Sequence, residues 1–546
     1  MEEFVPEAEA AGGFDPLGII RAASDLASTA MTGQELTWLA TELTALGQGR
    51  STLWFDGGDH RFDDVTWQLN PFFHTLGQGY CLLEQWLRRL VDDMDVPWVR
   101  RARARYLASI VSAALAPTNF FWTNPAAIKL AFETGGQSAL RGGQNMLRDL
   151  ASGGMPKMVD RAPFPVGEKL ACTPGAVIYR EDMFELLQYT PVTPAVRSRP
   201  LLMVPPELNR YYVLDLSPGR SVVEYAVANG IQTFMMVWRN PQAELGHGRW
   251  GMDDYIAAQL RAADVVRKIT RTESINWIGL CAGGITTALL AGYCAARGEP
   301  YVNSATFVVT MLTNSCPNIV GQLSSGASRE MLRLAAEAGQ IIPGDMLRAT
   351  FAWLRPNDLV FNYLVSGWLL GQDAPAFDVL AWNDDATAMT AKFSLDSAEA
   401  LIGDRAAVPG GLTVLGTPID LAKADCDTFY VAGYTDHISP WRACYAASQV
   451  MGGDKEHMEM VVVKSGHIQS FVNPVEKSRY DYWTAPPVSA DPDQWLAQAP
   501  LVHGSWWPRW SAWLLEHSGQ EKKAPASLGS RTYPPLGPAP GTYVYG

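Results

Sequence analysis

The sequence is short of positive charge: 43 Lys and Arg stand against 56 Asp and Glu, a net −13 over 546 residues. A nucleic-acid partner needs a basic face. No local cluster supplies one, since Arg100, Arg101, Arg103 and Arg105 form only a short run read as the solvated side of a helix. Long apolar runs are missing too. No stretch reaches the roughly 18 uninterrupted apolar residues of a transmembrane helix. The acidic start, Met1-Glu2-Glu3-Phe4, has no apolar core, so a secretory signal is not expected. Seven cysteines (Cys81, Cys172, Cys281, Cys294, Cys316, Cys426, Cys444) are odd in number, scattered, and without a C-x-x-C pair. That speaks for reduced thiols in a cytosol and against structural zinc, most of them acting as small buried hydrophobes. No internal repeat is found. What is present, 47% hydrophobic and 18% charged residues, describes a globular chain with an ample core. Its length suits about two domains at ~100–200 residues each.

Residues 1–50 are rich in Ala, Gly and Thr and helical in propensity. From Asn70 to Leu150 apolar residues recur at spacings of three and four, as in Cys81-Leu82-Leu83, Trp86-Leu87 and Leu90-Val91. Gly153-Gly154-Met155-Pro156 breaks this series, which places a mainly helical domain at 1–160 and a second domain at 161–546. In the second, strands alternate with helices: an antiparallel opening (Gly175–Tyr179, Phe184–Tyr189), the apolar strand Pro200–Val204, the helix Ser221–Asn229, the strand Ile231–Trp238 and the helix Met252–Thr270. Such alternation implies a mainly parallel sheet covered on both faces. The pattern stops between Asn314 and Ala424, an aromatic-rich insertion of the kind that caps an active site. It resumes at Asp427–Ala432 and His457–Val463. The proline-rich tail (Pro525, Pro534, Pro535, Pro538, Pro540) is expected to lie extended on the surface.

The chemistry is carried by Gly279-Leu280-Cys281-Ala282-Gly283-Gly284, which follows the apolar run Ile275–Ile278 and precedes Ile285–Ala291. Strand, tight glycine turn and helix, with one reactive side chain at the apex, make the nucleophile elbow of an α/β-hydrolase fold with cysteine as nucleophile. The start of a helix favours a thiolate or an oxyanion there. A cysteine nucleophile needs a base, and the base needs an orienting group. In this fold the order is nucleophile, acid, histidine, on loops after successive strands. Asp436 follows the strand Asp427–Ala432 through Gly433-Tyr434-Thr435, and His467 follows Met460–Val463 through Lys464-Ser465-Gly466. Both sit at strand C-terminal ends, where open parallel sheets place their sites. Of the eight histidines, His60, His74 and His247 precede the elbow, while His503 and His517 lie past the last core strand. His437 is the neighbour of Asp436 and points away from the thiol, with a supporting role behind the catalytic set expected, and His457 begins a strand and faces solvent. Asp420, the rival acid, stands before its strand. Cys426 and Cys444 have no elbow.

Across about residue 70 to the end, the chain resembles the polyhydroxyalkanoate synthases, in look the single-subunit ones that prefer medium-length side chains. The resemblance is carried by Gly279–Gly284, Leu354-Arg355-Pro356-Asn357-Asp358-Leu359, Phe377-Asp378 with Trp382-Asn383, and Gly416-Thr417-Pro418-Ile419-Asp420-Leu421. It continues through Asp436-His437-Ile438-Ser439-Pro440-Trp441, Ser465-Gly466-His467-Ile468, Lys523-Ala524-Pro525 and Pro540-Gly541-Thr542-Tyr543-Val544. It implies an acyltransferase that polymerises (R)-3-hydroxyacyl-coenzyme A with release of coenzyme A through an acyl-Cys281 intermediate, with His467 as base and Asp436 as its helper. The oxyanion hole is then expected from the backbone N–H groups of Ala282 and of Leu208, in the loop after Val204. No metal or redox cofactor is implied. A homodimer, the growing polyester chain and the surface of cytoplasmic storage granules are the implied partners. Phe361 and Ala381 depart from the bulkier aromatic residues usual there, which points to the insertion as the gauge of side-chain length. The alternatives are a thiol hydrolase or depolymerase of the same fold, and a granule-surface binding protein with a relic site; the intact set of three disfavours the relic.

Overall fold

The computed structural model describes residues 33–55, 59–314 and 326–546, so the start of the chain and Cys316 lie outside the described residues. The chain forms two compact units.

The helical unit comprises the described residues up to Arg161 together with Arg348–Leu380. Its longer helices include α1 (Gly33–Gly47), α2 (Pro71–Asp92), α3 (Trp98–Leu115), α4 (Pro125–Glu133) and α5 (Gln137–Ala151). Two of them start by the same device. The Asn70 side chain accepts the Phe72 and Phe73 N–H groups, the Asn124 side chain accepts that of Ala127, and a proline occupies the first helical position each time. This satisfies donors that no carbonyl inside the helix can reach. Leu87 and Val91 of α2 pack against Ala104 and Ala108 of α3, with Met94 between the helices. The stretch 314–424, expected as a single insertion, is divided: Arg348–Leu380 joins this helical unit. The reason lies on α5, where a Cβ on Gly142 would overlap the Trp368 carbonyl. Asp149, two turns further along and buried, accepts the Trp368 indole N–H at 2.8 Å.

The second unit, Ala162–Leu347 and Ala381–Gly546, is built on an eleven-stranded sheet. Its strands are β1 (Gly175–Arg180), β2 (Phe184–Tyr189), β3 (Leu201–Val204), β4 (Thr233–Trp238), β5 (Ile275–Leu280), β6 (Val302–Val308), β7 (Asp427–Gly433), β8 (Glu459–Val463), β9 (Tyr482–Ala485), β10 (Leu501–Val502) and β11 (Gly537–Pro538). The spatial order is β10-β9-β8-β7-β6-β5-β3-β4-β2-β1-β11. The centre from β4 to β8 is parallel, and the remaining strands join antiparallel at the two edges. Every residue of β3, β4 and β5 is buried, as a sheet covered on both faces requires. The helices α6 (Val222–Ala228), α7 (Met252–Thr270) and α8 (Ala282–Arg297) connect the central strands. The unit is an α/β-hydrolase fold. The part of the insertion that stays with it is tied down by polar contacts: the Thr390 hydroxyl donates to the Trp250 carbonyl at 2.6 Å, and the Met252 N–H donates to Asp396 at 2.9 Å.

The tail does not simply lie on the surface. Gly537–Pro538 pairs with β1 as an edge strand. Beyond it, the backbone N–H groups of Thr542 and Tyr543 and the Thr542 hydroxyl donate to the buried Glu185 carboxylate of β2 at 2.8, 3.0 and 2.9 Å. Arg180 completes the set at 2.6 Å. A buried carboxylate is tolerable only when partnered in this way. Removing it leaves the part-buried N–H groups of Thr542 and Tyr543 without their acceptor, at roughly 1–3 kcal/mol each. Glu185→Leu is therefore expected to lower unfolding stability by about 3 kcal/mol, read from the midpoint of denaturant unfolding; an unshifted midpoint would mean that the tail is not anchored there.

Candidate active site

The strand β5 runs straight into Cys281, whose backbone sits at φ 53°, ψ −116°, and α8 begins at the next residue. A side-chain-bearing residue holds such a conformation only when its surroundings enforce it. Here they do. The Cys281 N–H donates to the Val308 carbonyl of β6 at 2.8 Å, and the Cys281 carbonyl accepts from Gly284 at 3.0 Å. The glycines of the motif are steric necessities. A Cβ on Gly279 would lie 2.6 Å from the Gly284 Cα, one on Gly283 would lie 2.5 Å from the Pro205 carbonyl oxygen, and one on Gly284 would overlap Thr310.

The other two residues reach the site from crossing loops. After β7, Tyr434 and Thr435 donate their N–H groups to Val463 and Ser465 at 2.8 and 3.0 Å, which binds this loop to the one after β8. Gly433 allows the crossing, since a Cβ there would be 2.8 Å from the Ser465 carbonyl. One Asp436 carboxylate oxygen accepts the Ile438 and Ser439 N–H groups at 2.8 and 3.0 Å. The other faces Nδ1 of His467 at 2.6 Å. Cys281 acts on the same imidazole from the nucleophile turn. Burial opposes charge on the imidazole, but the Asp436 charge and hydrogen bond, reinforced by Cys281, outweigh it and raise the ring to about 10. The structure thus brings Cys281, His467 and Asp436 into one connected line.

Five of the remaining histidines are partnered elsewhere. His60 pairs with Asp63, His457 with Asp454, His503 with Asp481 and His517 with Asp427. His247 is buried, stacked on Trp250 and paired with Asp182. His457 closes a short turn before β8 rather than beginning the strand. Asp420 caps the turn Leu421–Lys423. Among the described residues no group of three or more His, Cys, Asp or Glu is arranged to hold a metal ion.

Ala282 is the first residue of α8, so its N–H has no carbonyl within the helix to meet. Leu208 lies in the turn after β3 and packs its side chain on the core of the unit. The contact at Gly283 presses this loop onto the start of α8. Further bonds fix it: the Trp238 indole donates to the Pro205 carbonyl at 3.0 Å, the Trp382 indole to the Arg210 carbonyl at 2.8 Å, and Arg210 to the Tyr543 carbonyl at 3.3 Å. Nothing in the sequence signals the part that Trp382, Arg210 and Glu207 take here beyond a glutamate placed two prolines after an all-apolar strand. Ala381, beside Trp382, is 1% exposed. Phe361 belongs to the helical unit, where it meets Trp353 edge-on and lines a cavity of about 890 Å³.

Comparison with known proteins gives two family matches. Residues 58–226 match the family described as poly-beta-hydroxybutyrate polymerase (PhaC) N-terminus, and residues 218–474 match the alpha/beta hydrolase fold. The chain is 40% identical over 515 residues to poly(3-hydroxyalkanoate) polymerase 2 of Ectopseudomonas oleovorans, covering 94% of this chain and 91% of that protein. It is 39% identical to polymerase 1 of the same organism, covering 92% and 89%. It is 37% identical to the poly(3-hydroxyalkanoate) polymerase subunit PhaC of Cupriavidus necator, covering 92% and 85%.

Two substitutions test the local geometry. Gly283→Ala forces a methyl against a backbone carbonyl and is expected to cut turnover about 100-fold, in line with ~1 Å misplacements of reacting groups. Unaltered turnover would mean that the Pro205 loop plays no part in the site. Ala381→Phe adds a phenyl ring at a buried position, so a stability loss of about 1–3 kcal/mol is expected, with activity falling alike on short and long acyl chains. A stable variant selective for short chains would instead identify Ala381 as a gauge of side-chain length.

Proposed function

The chain belongs to the poly(3-hydroxyalkanoate) polymerase family, and we propose that it condenses (R)-3-hydroxyacyl-coenzyme A units into polyester with Cys281 as the acyl-bearing nucleophile. The observation that carries the proposal is the Asp436–His467–Cys281 line set at a strained elbow. A raised imidazole favours the proton on the ring, the form that pairs with a sulfur anion. That sulfur attacks the thioester carbonyl and forms the new C–S bond. The tetrahedral oxyanion is received by the N–H groups of Ala282 and Leu208. Its collapse breaks the bond to coenzyme A, whose sulfur takes the proton from His467. His467 then removes the proton of a 3-hydroxyl on the next unit, the alkoxide attacks acyl-Cys281, an ester forms and the cysteine sulfur leaves. Acyl transfer between two thiols is nearly isoenergetic, which suits a cysteine that must give its acyl group up again. Asp436 holds the ring by Nδ1 and stabilises its positive form. The proposal includes work as a homodimer at the surface of polyester granules in the cytoplasm, as the family resemblance implies.

The test is coenzyme A release from 3-hydroxybutyryl- and 3-hydroxyoctanoyl-coenzyme A, with the product identified as polymer or free acid. Polymer is expected; free acid alone would make the chain a thiol hydrolase. Cys281→Ala is expected to abolish release with the fold retained, and Cys281→Ser to keep at most a trace, since a hydroxyl is far less readily ionised. His467→Ala should block even the first release. Asp436→Asn should permit the first release and stall those that follow. Near-wild-type release by Cys281→Ala would overturn the mechanism, and no first release by Asp436→Asn would assign Asp436 to acylation instead.

A further inference from the structure

Glu207 is out of place by the ordinary rules for carboxylates. It follows Pro205-Pro206 at the end of β3 and is 3% exposed. One of its oxygens accepts the Thr286 hydroxyl at 2.7 Å. The other, Oε2, is buried with no hydrogen-bond partner among the described residues. Thr286 stands on α8, little more than one turn beyond Cys281, and is itself fully buried. It also receives the Gln259 amide of α7 at 2.6 Å, and Gln259 in turn accepts from Thr287 at 3.4 Å. A polar chain therefore links the loop after β3 to the nucleophile helix, and that helix to α7. A carboxyl buried with a single partner costs stability relative to an apolar residue of the same shape. Packing alone does not explain a glutamate at this position. Its location does: it is the immediate neighbour of Leu208, in the loop that touches the start of α8 at Gly283.

We propose that Glu207 is a positioning residue that clasps the loop carrying the Leu208 N–H to the nucleophile helix through Thr286, and so fixes the pair of oxyanion-binding N–H groups across Cys281. The proposal rests on the acyl-transfer reading of Cys281. The clasp works with Glu207 neutral. Burial, only partly offset by the Thr286 hydrogen bond, raises the carboxyl from the ordinary range to about 8. The groups around it are Tyr255 on α7, Arg210 and Tyr211 in the same loop, and Arg239 at the end of β4. Burial pushes both tyrosines upward, with the Glu207 charge adding to the shift at Tyr255. Neither tyrosine nor arginine changes charge near neutral pH, so Glu207 is the member of this group that titrates just above it. Raising the pH through about 8 places a buried anion in the clasp; its demand for water outweighs the Thr286 hydrogen bond, and the clasp should open.

The experiment compares the full-length wild type with Glu207→Gln, Glu207→Leu and Thr286→Val. The first-turnover release of coenzyme A from 3-hydroxybutyryl-coenzyme A is followed by loss of thioester absorbance between about pH 6 and about pH 9. Glu207→Leu and Thr286→Val should each slow that step about 10- to 100-fold, less than the 10²–10³ lost with an oxyanion donor itself, with KM held within about twofold. The double variant should be no slower than either single one, because both remove the same link. Glu207→Gln keeps an acceptor for Thr286 and should recover most of the rate. It should also lose the decline that the wild type shows as the pH passes about 8. Cys281 and His467 are common to both proteins, so that difference belongs to Glu207. Wild-type acylation in both Glu207→Leu and Thr286→Val would overturn the clasp. So would a Glu207→Gln profile that declines with the wild type, or a loss confined to KM. Should Glu207→Leu fail to fold, Thr286→Val and Glu207→Gln decide the matter. Activity surviving in a parallel Cys281→Ala sample would instead overturn the acyl-transfer reading, a separate failure from that of the clasp.

Discussion

The site depends on the backbone of one residue. Cys281 is held at φ 53° without being glycine, a conformation that costs of order 1–3 kcal/mol and persists only where the surroundings over-determine it. The over-determination is visible on each side of the turn. β6 takes the Cys281 N–H, the first turn of α8 takes its carbonyl, and three glycines remove the Cβ atoms that would force strand, helix and neighbouring loop apart. This turn presents a thiol at the positive end of a helix and directs it toward the loops after β7 and β8. The strain is local, and the buried sheet beneath supports it.

Around that turn three loops are registered to one another by bonds that do not involve the reacting groups. The loops after β7 and β8 exchange backbone hydrogen bonds before Asp436 and His467 meet. The loop after β3 is fastened by Trp238, by Trp382 from the insertion, and by Arg210 to the carbonyl of Tyr543. That last contact gives the tail a part in the site. Residues at the very end of the chain are anchored by Glu185 of β2 and reach the loop that carries Leu208. Preorganisation of this kind is what oxyanion stabilisation requires, since donors that must move into place contribute little.

Much of this was legible in the sequence, for identifiable reasons. The elbow has a steric signature, because glycines at fixed offsets around a single cysteine leave few other structures. The buried strands show as short all-apolar runs, and the loops bearing Asp436 and His467 follow such runs directly. What stayed hidden depended on distant partners. The pairing of Arg348–Leu380 with the N-terminal helices rests on a close approach at Gly142 and an acceptor at Asp149, and neither has a local pattern. The tail reads as loose from its prolines and glycines, yet its backbone N–H groups hold a buried carboxylate whose own sequence context is an ordinary strand. Glu207, by composition a surface residue, is buried because two prolines and Gly283 bring its loop against α8.

The central claim is that Cys281 Sγ carries the growing acyl group. The direct measurement is peptide mapping by mass spectrometry of full-length protein quenched in acid during turnover of 3-hydroxybutyryl-coenzyme A, with the Asp436→Asn protein in parallel to hold the intermediate. The account predicts a 3-hydroxyacyl adduct on the peptide containing Cys281 and on no other cysteine or serine. An adduct on a different residue, or polymer formed while Cys281 stays unmodified in both proteins, would contradict it.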